Sequence, residues 1–232
     1  MNNQQVIDRI GPKLVDAGFK LGNATQSYLR FLFNLNTTPG VNSITFNVLQ
    51  TDGNIVATEQ RLQITDLFTI THWSLQLIKV GTTSTPSAAE ISRGILRTYP
   101  NPQIFTGTNE ADNLMNIYNG NTSVTIDRDK KIDAFDNYRF YRVDTAQQLL
   151  GMTTAAPAAP TGATAAYSRD SYPSPNYAYA ELDPNITLNG AGSNQITVSL
   201  PDTSTLTGTT SCNFLVLTCR GIKWQNASKL NG

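Results

Sequence analysis

Charge is scarce in this 232-residue chain, and neither sign is in excess. Asp, Glu, Lys and Arg make up 15% of the residues, and 17 acidic side chains balance 17 basic ones. The densest charged stretch, residues 127–133, mixes acidic with basic residues. Proteins that hold nucleic acid through its phosphates concentrate Lys and Arg in one region. The composition therefore argues against direct electrostatic binding of nucleic acid.

Histidine and cysteine are almost absent. The only histidine, His72, excludes a multi-histidine metal site and leaves one candidate for an imidazole-based triad. No Gly-x-Ser-x-Gly motif accompanies it, so we favour a structural role for His72. Cys212 and Cys219 lie seven positions apart in a strand-like segment, which puts their side chains on opposite faces. We expect two free, buried thiols, no cofactor and no enzymatic activity.

Long apolar runs are also missing. No segment is long and apolar enough to span a bilayer, and the N-terminus lacks the basic start, apolar middle and small-residue cleavage site of a signal peptide. We therefore expect neither a transmembrane segment nor classical secretion.

The chain instead shows the period of two that is typical of half-buried strands. Leu29, Phe31, Phe33 and Leu35 share one face, and Ile196, Val198 and Leu200 alternate with polar residues. The apolar phase slips near Thr71 or His72, which indicates a β-bulge, and the unbroken apolar run 214–217 indicates a strand buried on both faces. About ten short strands predict an all-β fold, an antiparallel β-sandwich of jelly-roll type. A compact double jelly roll also fits the length.

Helical patterns are few. Ile7, Ile10 and Leu14 have helical spacing, but Gly11-Pro12 interrupts them, so we expect a short helix or an ordered arm over residues 1–25. A helix is predicted at 110–118, capped by Thr108 or Asn109 and ending at Asn119-Gly120, a pair that also favours a hairpin. A second short helix is predicted at 144–150. Residues 26–232 then form the sandwich domain.

A long insertion, residues 151–180, interrupts the strand series. It is rich in Ala, Pro, Thr and Ser and carries Tyr167, Tyr172, Tyr177 and Tyr179. A connection of this length without its own core is usually functional or disordered. Tyrosines present a large contact area at low entropy cost, so these four are the main candidates for stacking on sugar rings or burial against a neighbouring subunit.

Two groups of carboxylates are candidate sites. Asp127, Asp129 and Asp133 alternate like half of a calcium loop, but the Gly and Glu positions of an EF-hand are not matched. A looser calcium site and a charged hairpin rim both remain open. Glycoside hydrolysis needs two carboxylates at a set separation in space, and Asp133, Asp136, Glu59 and Asp66 are available, yet nothing in the sequence selects a pair.

Several segments together resemble the jelly-roll major capsid (coat) proteins of tailless icosahedral bacteriophages. They are RLQITDLFTITHWSLQLIKV, LRTYPNPQIF with EADNLMNIYNGNTSVTID, NYRFYRVDTAQQ, and LDPNITLNGAGSNQITVSLP. The resemblance implies a structural protein of the virion that assembles in the host cytoplasm. It also implies self-association, commonly as a homotrimer within a larger shell, and carries no catalytic residues.

The first 25 residues depart from the pattern of many small viral coats. They carry only Arg9, Lys13 and Lys20 against Asp8 and Asp16, instead of a basic arm. We therefore expect other virion proteins, a packaging motor or an internal membrane reached through other proteins to handle the genome. The predicted subunit interface comprises Val6, Ile7, Ile10 and Leu14 of the arm with Tyr167, Tyr172, Tyr177 and Tyr179. The alternatives are a glycan-binding module of a virion fibre or adhesin, and a β-sandwich hydrolase.

Overall fold

A computed structural model describes residues 3–36, 40–50, 56–81, 86–143, 178–204 and 211–229. The strands are β1 (Phe19–Lys20), β2 (Ala24–Asn34), β3 (Val41–Asn47), β4 (Leu67–Gly81), β5 (Asn121–Ile126), β6 (Asp129–Asp136), β7 (Ala180–Asn189), β8 (Asn194–Ser204), β9 (Ser211–Trp224) and β10 (Ser228–Lys229). The helices are α1 (Asn3–Asp16), α2 (Ala88–Ser92) and α3 (Glu110–Tyr118), with a 3-10 helix at Asn137–Phe140.

Eight strands form two antiparallel sheets whose pairing is nested along the chain. β2 pairs with β9, β3 with β8, β4 with β7 and β5 with β6. The first sheet has the order β2–β9–β4–β7 and the second β3–β8–β5–β6. An eight-stranded double sheet folded in this way is a jelly roll. The predicted β-sandwich of jelly-roll type is therefore confirmed, and the described residues form one jelly roll instead of two.

The main core lies between the two sheets and follows the alternation seen in the sequence. Phe31, Trp73 and Leu217 point inward from the first sheet, and Val124 and Val198 meet them from the second. The expected bulge lies between Ile70 and His72, where the register of β4 shifts against both of its neighbours.

Strand β9 lies between β2 and β4 and is buried on both faces, as the apolar run 214–217 predicted. Its two cysteines are free, with Cys219 in the core between the sheets and Cys212 on the opposite face. Burial raises the pKa of both thiols. The predicted pair of free, buried cysteines on opposite faces is therefore confirmed.

Helix α1 runs straight through Pro12, so the prediction that Gly11-Pro12 interrupts it is wrong. Pro12 lies on the exposed side of the helix. Val6, Ile10 and Leu14 recur every four residues on the other side and pack on the outer face of the first sheet, against residues that include Ile222 and Trp224. This burial offsets the hydrogen bond that proline cannot donate.

The helix prediction at 110–118 is confirmed, although its ends differ from expectation. Asn109 occupies the N-cap position with a φ of 53°, but its side chain makes no capping bond. Asn119-Gly120 joins α3 to β5 and forms no hairpin, because a helix precedes it. Glycine is required at position 120 because a Cβ there would lie 2.1 Å from the backbone oxygen of Ser199. The predicted helix at 144–150 lies outside the described residues.

The nested topology gathers the connections at the two ends of the sandwich. The links β2–β3, β4–β5, β6–β7 and β8–β9 leave from one end, which we call the insertion end. The insertion 151–180 belongs to the β6–β7 link, which crosses from the edge of one sheet to the edge of the other. The link β7–β8 turns at the other end through Asn189-Gly190, but β7 and β8 lie in different sheets and do not pair, so the hairpin predicted there is wrong. The turn connects the two sheets instead.

Candidate functional site

The four predicted interface residues of the arm contact the chain's own sandwich. Val6 is 1% exposed and Ile10 and Leu14 are 9% exposed, within a cluster that includes Trp224, and Ile7 is half-buried beside them. The first sheet thus supplies the apolar surface that the arm requires. A contact between these residues and a second subunit stays a prediction.

Of the four predicted tyrosines, only Tyr179 lies in the described part of the chain. It is half-buried just before β7, and the guanidinium carbon of Arg220 lies 3.9 Å from the centre of its ring. This is a close cation–π contact between neighbouring regions of one sheet face. Tyr167, Tyr172 and Tyr177 lie outside the described residues.

His72 lies on the outer face of the first sheet, directly after the bulge. Its Nδ1 is 3.0 Å from Thr71 Oγ1, and its cross-strand neighbours are Glu181 on β7 and Arg220 on β9. Burial lowers the pKa of the imidazole, and the charge of Arg220 acts in the same direction, while Glu181 opposes both. The ring is therefore neutral at pH 7 and bonds to a neighbouring hydroxyl.

The three aspartates of residues 127–133 each have a separate structural contact. Asp127 exchanges two hydrogen bonds of 2.8 Å with the backbone of Ser193, one through its own N–H and one through Oδ1. Asp129 pairs with Lys131, and Asp133 pairs with Lys130. No group of three or more His, Cys, Asp or Glu side chains that could hold a metal ion occurs among the described residues. The arrangement is that of a charged hairpin rim.

The carboxylates considered for glycoside hydrolysis likewise serve separate contacts. Glu59 pairs with Arg61 at 3.0 Å, and Asp66 pairs with Lys223 at 2.8 Å. Asp133 pairs with a lysine as described, and the carboxylate of Asp136 accepts the backbone N–H of Tyr138 at the start of the 3-10 helix. Each of the four side chains thus has a contact of its own.

Sequence reasoning missed a buried ionic network at the insertion end. Glu110 Oε2 accepts hydrogen bonds from Lys79 Nζ at 2.7 Å and from the N–H of Gly107 at 2.8 Å, and its Oε1 accepts one from Asn213 Nδ2 at 2.6 Å. Glu110 is 7% exposed. Burial alone raises the pKa of its carboxyl, but the bonds from Lys79, Asn213 and Gly107 together hold it below the usual value. The network ties α3 to β4 and β9.

A surface aromatic group at the same end was also missed. We call it the tyrosine patch: Tyr99, Tyr138, Arg139 and Tyr141. Tyr138 is 53% exposed and stacks on Tyr141, with ring centroids 5.4 Å apart and planes 12° apart. Tyr99 meets Tyr141 edge-on at 6.0 Å, and Arg139 lies 4.8 Å above the ring of Phe135. A rigid group of exposed tyrosine and arginine at the start of the β6–β7 link is a candidate contact surface.

The third missed feature is a belt of polar side chains across the outer face of the first sheet. We call it the polar belt: Arg30, Ser74, Gln76 and Thr218. The strand register places Arg30 and Ser74 on either side of Thr218, and Gln76 follows on the same face of β4. On one side of the belt lies the cluster under α1, and on the other an apolar cluster around Phe214.

Each member of the polar belt has a buried polar atom without a partner in the chain. The atoms are Arg30 Nε, Ser74 Oγ, Gln76 Oε1 and Thr218 Oγ1. A buried polar group left unpaired costs about 1–3 kcal/mol, so such atoms are rare in native proteins and need an explanation. The belt has no local sequence signal, because the register of three strands is required to assemble it.

The fold and these sites together define a single jelly-roll β-sandwich. No protein-family model matches the chain, and neither the curated proteins nor the solved structures compared with it give a match. Within the described ranges, no helix is long and apolar enough to cross a membrane.

Proposed function

We propose that the chain is a structural virion protein that self-associates to form the icosahedral capsid shell of a bacteriophage. The observation that carries this proposal is the nested pairing of β2 with β9, β3 with β8, β4 with β7 and β5 with β6. This jelly roll is an architecture of viral capsid and lectin domains. The fold is shared by several functions, so the argument also needs a surface suited to the role.

The tyrosine patch provides such a surface. Tyrosine and arginine are enriched among the residues that dominate protein–protein interfaces, and they work best where their own positions are fixed. The patch is fixed because the hydroxyl of Thr98 donates to the backbone oxygen of Arg142 at 2.5 Å, next to Tyr141. Because the patch lies at the insertion end, a second subunit docked there also meets the β6–β7 link.

The balanced charge of the chain fits a shell role without direct genome binding. Under this proposal the assembly unit is a homotrimer in a larger shell, built in the host cytoplasm and localised to the virion. Other virion proteins, or an internal membrane reached through them, then handle the nucleic acid, since the arm carries only three basic residues within positions 1–25.

The oligomeric state of the purified chain tests the proposal. Mass photometry is expected to find trimers or larger particles, and electron microscopy is expected to find closed shells at high protein concentration. Tyr138→Ala is expected to shift the population toward monomers. Ile64→Ala is the matched control, because Ile64 is 73% exposed and precedes β4 at the opposite end of the sandwich. A chain that stays monomeric at high concentration rules out the shell role.

A second candidate function is glycan recognition by a module of a virion fibre or adhesin. Lectins share the jelly roll, and the outer face of the first sheet carries two arginine–tyrosine contacts, Arg30 with Tyr28 and Arg220 with Tyr179. A glycan array separates the two functions. Specific binding by a monomeric chain favours this candidate over the shell role.

A further inference from the structure

The polar belt is a concentration of unmet hydrogen-bonding capacity. In the described part of the chain, seven buried side-chain atoms lack a partner, and four of them belong to Arg30, Ser74, Gln76 and Thr218. Ser74 is 0% exposed and Thr218 is 1% exposed. Because Thr218 stands directly between Arg30 and Ser74 in the register, these groups adjoin one another. Because these atoms are buried, a ligand reaches them through water bound beneath it, and one such ligand can meet several of them together.

The adjoining row of the same face is more accessible to a ligand, with Tyr28 and Glu181 exposed and Arg220 and His72 half-buried. It runs from Tyr28 on β2 through Arg220 on β9 and His72 on β4 to Glu181 on β7. Tyr28 is 40% exposed, with the guanidinium carbon of Arg30 at 5.4 Å from its ring centre. At the far side of the face, Tyr179 holds the corresponding contact with Arg220. An aromatic ring thus flanks the belt on each side.

The chemistry of these groups selects the class of ligand. The guanidinium N–H of Arg30 donates, the amide oxygen of Gln76 accepts, and the hydroxyls of Ser74 and Thr218 do both. An anion leaves the Gln76 oxygen unmet, whereas a cation faces the guanidinium group of Arg30. A purely apolar ligand leaves every unpaired atom unmet. A neutral molecule rich in hydroxyl groups meets donors and acceptors alike.

We propose that this face of the first sheet binds a neutral carbohydrate, whose rings lie against Tyr28 and Tyr179 and whose hydroxyl groups complete the polar belt. The hydroxyls of Ser74 and Thr218 lie deepest, so an ordered water links them to the sugar, since such bridges are nearly as favourable as direct bonds. The inference rests on the second candidate function, glycan recognition, and assigns it a location outside residues 151–177.

Isosteric substitutions on the full chain test the location. The probe is a printed array of neutral oligosaccharides of glucose, galactose, mannose and N-acetylglucosamine, read beside thermal unfolding of the same samples. Thr218→Val is expected to weaken binding by about 5- to 10-fold, as for the loss of one hydrogen bond. It is expected to keep or raise the melting temperature, because it removes a buried hydroxyl that has no partner in the chain.

Two further variants complete the design. Tyr28→Ala, at a partly exposed ring, is expected to weaken binding without unfolding the chain. Thr45→Val is the matched control: Thr45 is exposed on the outer face of the other sheet, 3.2 Å from the hydroxyl of Thr197, and binding is expected to stay unchanged.

The possible results distinguish a failure of this inference from a failure of glycan recognition, the function on which it rests. If no neutral glycan on the array binds, both the inference and the glycan-recognition function are overturned. If only acidic glycans bind, the assigned ligand class is wrong. Binding that Thr218→Val and Tyr28→Ala leave intact overturns the location alone, and water is then the sole partner of the belt. A fall in melting temperature for Thr218→Val shows that its hydroxyl is satisfied within the fold, which also overturns the inference.

Discussion

Replacing Glu110 by glutamine tests the buried network at the insertion end. The substitution keeps the shape but removes the charge that faces Lys79, whose side chain is 15% exposed. Lys79 keeps its 2.9 Å bond to the backbone oxygen of Ile104, so the ammonium group is not left without contacts. The Asn213 amide can rotate, because its Oδ1 has no partner and can accept from the new amide. The stability lost in Glu110→Gln is therefore mainly the contribution of the ion pair.

The size of the effect follows from that geometry. Removing one partner of a buried ion pair costs about 3–5 kcal/mol, and the contacts that Lys79 retains favour the lower end, about 3 kcal/mol. For a chain of this length, each kcal/mol shifts the melting temperature by about 2–4 °C. Glu110→Gln is therefore expected to lower the melting temperature by about 6–12 °C at pH 7, measured by circular dichroism or differential scanning fluorimetry.

Two controls decide whether the reasoning holds. Asp133→Asn removes one partner of an exposed pair with Lys130 and is expected to leave the melting temperature almost unchanged. The double variant Lys79→Met with Glu110→Gln removes both charges, keeps an acceptor for the N–H of Gly107 and an amide partner for Asn213, and is expected to recover most of the lost stability. If Glu110→Gln melts within a degree or so of the Asp133→Asn control, the ion pair contributes little and the argument is wrong.

Three further predictions concern pH and two glycines. The pKa of the Glu110 carboxyl is lowered in the folded state. The stability that the carboxylate contributes is therefore fully present above its unfolded pKa of about 4.5 and is lost as pH falls through its folded pKa. Unfolding measured over an acid titration should show the wild type losing more stability than Glu110→Gln. Gly221→Ala is expected to cost at least about 3 kcal/mol in urea unfolding, because its Cβ would lie 1.8 Å from the backbone oxygen of Thr69. Gly11→Ala is expected to change the stability by less than about 1 kcal/mol in the same assay, because the gain in helix propensity is opposed by the clash of a helical Cβ with the ring of Pro12. Its Cβ meets Trp224 at an ordinary 3.4 Å, so a loss of several kcal/mol would contradict the packing described for α1.

The strands were predictable because alternation is a local signal. The bulge beside His72 and the two-sided burial of 214–217 both follow from the spacing of neighbouring apolar residues. Helix α2 had an equally local signal, since Ser87 and Glu90 form a complete capping box, but its five residues are too few to show helical periodicity.

The features that could not be predicted from the sequence depend on tertiary contacts. Pro12 predicts a break in the helix because of its local preference, but the burial of Val6, Ile10 and Leu14 on the sheet outweighs that preference. The polar belt comes from residues about 190 positions apart, so no window of sequence contains it. Asn119-Gly120 has hairpin chemistry, but the close approach of β8 is what requires the glycine.

The position of β9 between β2 and β4 also sets the order of events during synthesis. Both neighbours are complete long before residues 211–224 leave the ribosome, and neither has its central partner until then. Contacts between residues so far apart in sequence form slowly, and strand edges are prone to aggregation as long as they remain unpaired. Chains stalled before residue 211 should therefore depend on chaperones, and the first sheet forms only after β9 has been synthesised.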